Sequence, residues 1–493
     1  MSSAVSRPQP RRVQTPAALP TDDGLSLELL LVLAALAAVT VGQGGFYRRV
    51  SEVSGGFLAV AAAVLVGRRH LSRLHPTKWV VAGLGVLAVC TVVAGALDGF
   101  LTRVSAPIAL LVGLAVVVAV VGSSSGRLRC QLADVAIALG SFLALTAWIG
   151  VAFHVSSFGH PDSGLWRAAT TVTYANAAAA VLGPIGLWCI ARRTTCDGTA
   201  RRAISVLVAT GLIATLSRAG LASFAVGLVV LVLLLGFGPV WRVAAPTWLG
   251  ASIAAAGLVP GIDASSSPKP LWAGLGLIAG LLVGSANPRR LFVQRGSSGD
   301  RRQRLRLGFL GFVAAGAVAG AGLLLAGHSG PWSNRLSLAS PDRGSLASVA
   351  LHTWRTHFLA GVGPDREAFI WTTPAHREVF DRYAHDEYLQ LAVEEGAVGL
   401  LGLGALATAV AATARRGWHS GAPRDTEVTA LRAGAIAGLA CFALQSGFDF
   451  LWHVPVVPMM AAVAVGLAAP PPPGDEMSQP AQQQEVPCSV GDG

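Results

Sequence analysis

Three stretches hold residues whose type and spacing could do chemistry. The first is Tyr383-Ala384-His385-Asp386-Glu387-Tyr388-Leu389, which runs straight into an apolar run. On one helix, His385, Tyr388, Ala392, Gly396 and Gly399 would share a face, and small residues on that face let another helix approach. An imidazole held there suits the task of taking a proton from a hydroxyl near neutral pH. A structural histidine at a helix end fits the same pattern. Glu394 and Glu395 fall inside the apolar run, where ionisable groups are costly and usually paired or cavity-facing. Neutralising an arginine is one role open to them.

The second stretch surrounds Arg343. Ser340-Pro341-Asp342 reads as a helix start, with a serine cap, proline at the first helical position and an acid in the first turn. Leu346, Val349, Ala350 and Trp354 follow as one apolar stripe, and Gly361-Val362-Gly363-Pro364 forces a turn. Arg343 would then sit in the first turn of an amphipathic helix. Free N–H groups there favour anions, and the guanidinium adds paired donors for phosphate oxygens. A solvated surface arginine is the alternative.

The third is Leu216-Ser217-Arg218-Ala219-Gly220, in the middle of the apolar stretch 203–236. As one helix that stretch would measure about 51 Å, too long for one upright crossing. Breaking it at Ser217-Arg218 gives two shorter helices meeting at one face. A lone arginine costs about 3 kcal/mol at mid-bilayer, so an interfacial or cavity position is expected. A snorkelling arginine at a hairpin tip has the same pattern.

The elements that must position these residues belong to a membrane. Only 13% of the 493 residues are charged and 53% are hydrophobic, with mean hydropathy +0.58. A soluble chain carries about 25% charged residues. Apolar runs near 20 residues recur, each long enough to cross a bilayer as a helix. The predicted spans centre on 27–46, 51–67, 79–97, 106–122, 132–153, 168–190, 203–217, 220–236, 243–260, 271–285, 307–326, 388–412, 430–447 and 450–468. Twelve or thirteen crossings are the alternative, since 203–236 and 271–285 give weaker signals.

The expected fold is all-α, a polytopic bundle with one large helical loop outside the membrane. Residues 1–24 and 469–493 are expected to be disordered cytoplasmic tails, 25–326 to hold eleven spans, 327–387 to be the outer loop and 388–468 to hold three more. The net charge of +11 comes from short arginine clusters between apolar runs, which is a topology signal and no sign of nucleic-acid binding. The clusters fall on alternate loops, so both termini are expected inside and 327–387 outside. Residues 1–24 lack the features of a cleavable signal peptide, so the first span is expected to serve as an uncleaved anchor. No cysteine lies in the outer loop, so no disulfide is expected there.

On these motifs the chain resembles the O-antigen ligase and polymerase superfamily. The likeness rests on Ser217-Arg218, on Arg343 with Gly361-Val362-Gly363-Pro364 eighteen residues later, and on His385-Asp386-Glu387-Tyr388-Leu389 with Glu394, Gly396 and Gly399. Arg167 followed by Tyr174-Ala175-Asn176-Ala177 is a weaker likeness. It covers residues 165–405; earlier spans match only in being hydrophobic. The resemblance implies a GT-C-like helical architecture in the inner membrane and action on undecaprenyl-diphosphate-linked oligo- or polysaccharide. Arg218 and Arg343 would grip the diphosphate and His385 would activate the acceptor hydroxyl, on a glycan, lipid or protein. Arg167, Asn176, Asp386, Tyr388 and Glu394 would support them. The family commonly has asparagine where this chain has Asp386; a carboxylate there could raise the imidazole pKa or orient the ring. The implied transfer inverts the sugar and needs no metal or other cofactor. Membrane lipids and other envelope polysaccharide assembly proteins are the further expected partners. A transporter or flippase of lipid-linked glycan, or a scaffold without chemistry, are the competing readings.

Overall fold

Main-chain polar groups in long apolar runs must pair with one another, and this chain does so almost wholly through helices. The computed structural model describes residues 26–67, 76–97, 99, 101–286, 341–364, 368–372, 377–420 and 426–472. Numbered over these residues, the helices are α1 (Leu27–Val41), α2 (Arg48–Gly67), α3 (Lys78–Leu97), α4 (Ser105–Ser123), α5 (Gly126–Ala152), α6 (Ala175–Arg193) and α7 (Thr199–Ala214). They continue as α8 (Arg218–Leu235), α9 (Phe237–Ala256), α10 (Pro270–Ser285), α11 (Pro341–Thr356), α12 (Glu387–Trp418), α13 (Glu427–Ser446) and α14 (Val456–Ala468). Among the described residues, nine helical stretches are long and apolar enough to cross a bilayer, and α1, α10 and α14 are shorter apolar helices.

The predicted spans within the described residues each coincide with a helix. The span at 307–326 lies outside those residues, as do the N-terminal tail, nearly all of the C-terminal tail, Ser340 and the first part of the large loop. Two expectations need correcting. The described residues are mostly helical, with two short departures from an all-α fold: strands β1 (Gly159–Asp162) and β2 (Leu165–Ala168) form one antiparallel hairpin, and β3 (Phe369–Thr372) and β4 (Glu378–Asp381) pair in the same way. The span expected from 168 therefore starts at Ala175. Ser163 and Gly164 both have positive φ, the two-residue turn whose twist suits a hairpin. The last span is also shorter than expected, because 451–453 form a 3-10 turn and the helix begins only after Pro455.

Successive helices run up and down, so their connections gather at two ends. At one end, the Arg192 guanidinium meets Asp134 and Glu427, and Arg202 donates to the Ser285 carbonyl. Arg129, fully buried, donates to carbonyls at the C-terminal ends of α4 and α14, where a cation suits the helix dipole. The opposite end, here the site end, joins Thr171 to the Thr40 carbonyl, Trp166 to Ile262, and Gln445 to the Asn176 carbonyl. The helix α6 forms the centre, with nearly every residue from Ala175 to Arg193 buried.

At the site end, α11 and the β3–β4 hairpin build a small core of their own. Leu346 and Ala350 are buried with Phe369, Trp371, Ala384 and Val393, and Val349 and Trp354 pack against them, so the predicted stripe faces inward. The turn after α11 uses positive φ at Gly361 and Gly363 and docks into α12. There α12 is interrupted at Gly396 (φ 61°, ψ −153°), a conformation open essentially to glycine alone. Val362 and Gly363 donate to the carbonyls of Val393 and Glu394, while Ala397 and Val398 donate to those of Phe358 and Leu359. The strap from Phe358 to Gly363 thus completes the hydrogen bonding of a broken helix. The five-residue face expected from His385 to Gly399 does not exist as drawn, since His385 precedes the helix and Gly396 interrupts it.

Candidate active site

His385 sits in a left-handed backbone conformation, φ 53°, one residue before the cap of α12. Asp386 is that cap: its carboxylate accepts from the N–H groups of Tyr388 and Leu389 at 2.9 and 3.1 Å, which ties down orphan donors of the first turn. Burial pushes the Asp386 carboxyl up from its ordinary value, and those two N–H bonds offset part of the shift. Of the roles open to Asp386, its Oδ1 serves the helix end, and a different carboxylate orients the ring.

The carboxylate that meets the ring is Asp449, in the turn after α13. Its Oδ1 lies 2.8 Å from His385 Nδ1. Its side chain is 1% exposed, against 21% for that of His385, so the carboxylate is sealed while the imidazole keeps an open edge. The other oxygen, Oδ2, accepts from Tyr174 Oη at 2.5 Å and from Asn176 Nδ2. Burial alone would raise the Asp449 carboxyl, but the bonds from His385, Tyr174 and Asn176, with the imidazole's charge, hold it below its ordinary value. For His385 burial works against the cation, yet the Asp449 bond and charge, helped by Asp381, outweigh it and raise the imidazole pKa. His385 Nε2 stands 3.5 Å from Asp381 Oδ2.

Asn176 is oriented in turn. Its amide oxygen accepts from Arg167 Nη2 at 3.0 Å, while Arg167 Nη1 pairs with Asp162 at 2.6 Å and Nε donates to the Thr215 carbonyl at 2.9 Å. The β1–β2 hairpin carries both Asp162 and Arg167, so the turn at Ser163-Gly164 sets the geometry of that pair. Buried charges hold only when paired and hydrogen-bonded, and Arg167 meets that condition.

Arg343 approaches from α11. Its Nη1 donates to the Phe448 carbonyl at 3.0 Å, its side chain is exposed, and its charge acts on both His385 and Tyr174. Arg343 and His385, distant in sequence, are thus fixed by the consecutive residues Phe448 and Asp449. Arg218 opens α8 at the same end of the bundle and is exposed, behind a buried Ser217 that caps the helix at Gly220. The connection from this turn to His385 runs through Thr215, Arg167, Asn176 and Asp449.

Tyr388 and Glu394 act beneath the site. Tyr388 Oη donates to the Ala443 carbonyl at 2.5 Å and joins α12 to α13. Glu394 accepts from Gln390 Nε2 at 2.6 Å, and Gln390 in turn accepts from the Ala384 N–H at 2.7 Å, which steadies the turn holding His385. Glu395 accepts from Thr91 at 2.8 Å, so its partner is a hydroxyl.

No family model matches the chain, and no curated protein matches it.

Several residues of this network were not foreseen from the sequence. Phe450 stacks between Tyr174 and Tyr383, with ring centroids 4.9 and 4.7 Å away, and meets the edge of His385 at 5.0 Å. Tyr383 in turn packs on His453 at 4.4 Å, whose Nδ1 lies 3.4 Å from the buried Glu387 carboxylate. The segments 381–388 and 446–453 therefore exchange two histidine–carboxylate pairs, His385 with Asp449 and His453 with Glu387. The signal for Asp449 was available: a lone acid between two apolar runs marks a functional candidate.

The arrangement has a defined chemical capacity. With Nδ1 engaged by a buried carboxylate, the imidazole is held in one orientation and Nε2 is left to take a proton, while the ion pair stabilises the cation that results. An exposed guanidinium beside it, that of Arg343, offers donors to an anion.

Proposed function

We propose that this protein is a cell-envelope glycosyltransferase that moves glycan from an undecaprenyl-diphosphate-linked donor to an acceptor hydroxyl at the outer face of the cytoplasmic membrane. The observation that carries the reading is the His385–Asp449 pair, sealed on the carboxylate side, with Arg343 held on the adjoining residue. The arginine-rich end of the bundle would face the cytoplasm with both termini, which puts His385 on the other side. Resemblance in the motifs around Arg218, Arg343 and His385 supplies the substrate class.

In this reading His385 Nε2 takes the proton of the acceptor hydroxyl as its oxygen attacks the anomeric carbon. The bond from that carbon to the diphosphate breaks, and the electron pair leaves with the lipid diphosphate. Arg343 and Arg218 stabilise the charge developing on the phosphate oxygens. Attack opposite the leaving group inverts the anomeric configuration. Ligase and polymerase share this chemistry and differ in acceptor.

The direct test is transfer from purified lipid-linked donor by the full chain in lipid nanodiscs, with H385A and D449N alongside. Loss of product in both, with insertion and thermal stability kept, supports the reading; undiminished transfer by H385A overturns it. In cells, a deletion strain that accumulates single repeats on the carrier indicates a polymerase, and one that accumulates full-length polymer a ligase.

One observation favours a second reading, a transporter of lipid-linked glycan. Such proteins bind cargo at broken helices, and α12 is broken at Gly396 beside the buried Glu395. Four main-chain groups at the break are occupied by the strap, which favours a structural role for it. Transport across vesicles that survives H385A would support this alternative.

A further inference from the structure

The turn leaving α11 joins an arginine to exposed apolar side chains. In Arg355-Thr356-His357-Phe358-Leu359 all five residues are exposed, Phe358 at 57% and Leu359 at 62%. Large apolar groups at that exposure are unfavourable against water.

Their depth is fixed by main-chain bonds. The carbonyls of Phe358 and Leu359 accept from Ala397 and Val398 at 2.8 and 3.2 Å, ten and eleven residues along from the start of α12. Gly396 divides α12, and the part beyond it, from Ala397 to Trp418, has 22 residues, or about 33 Å, against about 30 Å of hydrocarbon. A crossing by that part puts Ala397 and Val398 at the hydrocarbon edge, and Phe358 and Leu359 are bonded to them at the same level. Arg355, three residues before Phe358 and exposed on the same corner, has a long side chain that can reach lipid phosphates. Arginine at the headgroup and aromatic or aliphatic side chains just beneath form an interfacial anchor.

We infer that the Arg355–Leu359 corner is planted in the lipid surface at the site end, Phe358 and Leu359 among acyl chains and Arg355 against anionic phospholipid headgroups. The segment carrying Arg343 is then fastened to the bilayer as well as to α12, which fixes the height of Arg343 relative to a lipid headgroup. This inference does not depend on the glycosyl-transfer reading.

The test uses the full chain in nanodiscs of phosphatidylethanolamine and phosphatidylglycerol, with p-benzoylphenylalanine in place of Phe358 or, separately, Leu359. A control chain carries it at Ser267, exposed on the turn between α9 and α10 at the same end. On irradiation, phospholipid adducts are expected at 358 and 359 and absent at 267. Adducts only to protein, or none at 358 and 359, overturn the inference. Hydroxyl-radical footprinting of the unaltered chain provides the second measurement. Protection of 358–359 is expected, and oxidation there as fast as at the α9–α10 turn overturns the inference as well.

Discussion

His385 and Asp449 are separated by 64 positions in sequence, yet their side chains meet at 2.8 Å. The pair joins the entrance of α12 to the exit of α13. Everything else at the site end is arranged around it: Tyr174 and Asn176 on the far oxygen, Phe450 on the ring edge, and Arg343 on the next carbonyl.

Replacing Asp449 with asparagine is expected to lower kcat by about 10²- to 10⁴-fold, the usual worth of positioned proton transfer, with KM little changed. The pH profile supplies a second sign. A general base works when neutral, and His385 has a raised pKa, so activity should climb with pH through a midpoint above the ordinary imidazole value of about 6.5. In D449N that midpoint moves down. The stabilisation contributed by protonated His385 is full below the ordinary imidazole pKa and fades as pH rises through the raised value.

Arg343 acts on the same titration with the opposite sign, since its charge disfavours the imidazolium. Arg343→Ala should move the midpoint upward and reduce transfer by about 10²- to 10³-fold, as loss of one transition-state donor does. Arg343→Lys should restore the midpoint but only part of the rate, because lysine lacks the paired donors. An unchanged rate in R343A would remove Arg343 from the donor site.

Arg167→Ala leaves Asp162 and Asn176 without the guanidinium that orients them. Arg167 is buried but Asp162 is 34% exposed, so the cost falls below the roughly 3–5 kcal/mol of a fully buried pair, and a measurable fall in thermal stability is expected, read by unfolding in detergent. Asn176→Asp should damage activity more than Asn176→Ala, because it sets a second carboxylate beside Asp449.

At Gly396 the backbone itself carries the prediction. A Cβ there would stand 2.5 Å from the Leu359 carbonyl carbon, at a φ of +61°. Gly396→Ala should destabilise by at least the roughly 1–3 kcal/mol of such a backbone outlier. Limited proteolysis should then cut first within 357–364, where the strap would be displaced.

Transfer is expected to continue in excess chelator, since arginines are assigned the charge that a metal would otherwise neutralise. Complete loss, restored by a divalent cation, would refute that assignment.

The helical bundle was legible because a bilayer makes hydrophobicity and length sufficient to mark a crossing, and each span within the described residues has its helix. The short strands were not, since Gly159–Asp162 carries no strand composition and its pairing depends on Ser163-Gly164 taking positive φ. His385 could be picked out as a polar residue at the rim of an apolar run and Arg343 from the helix start before it, while Arg167 and Asn176 were marked only by the family resemblance. Asp449 escaped notice because nothing local tells which of several rim carboxylates a histidine will choose. Asp386, adjacent in sequence, was the obvious candidate, but the geometry of a helix start turns its Oδ1 toward the N–H groups of Tyr388 and Leu389. Gly396 read as a small residue for helix packing; its role as a break requires a second segment to fill it, which no local pattern announces.

The order of the pair along the chain has a consequence for biogenesis. During synthesis His385 emerges well before the carboxylate that must orient it, and Asp449 reaches its place only when the hairpin of α13 and α14 has entered the bilayer. Under the proposed function, a nascent chain therefore holds no oriented base, and transfers no sugar, until α13 and α14 are seated.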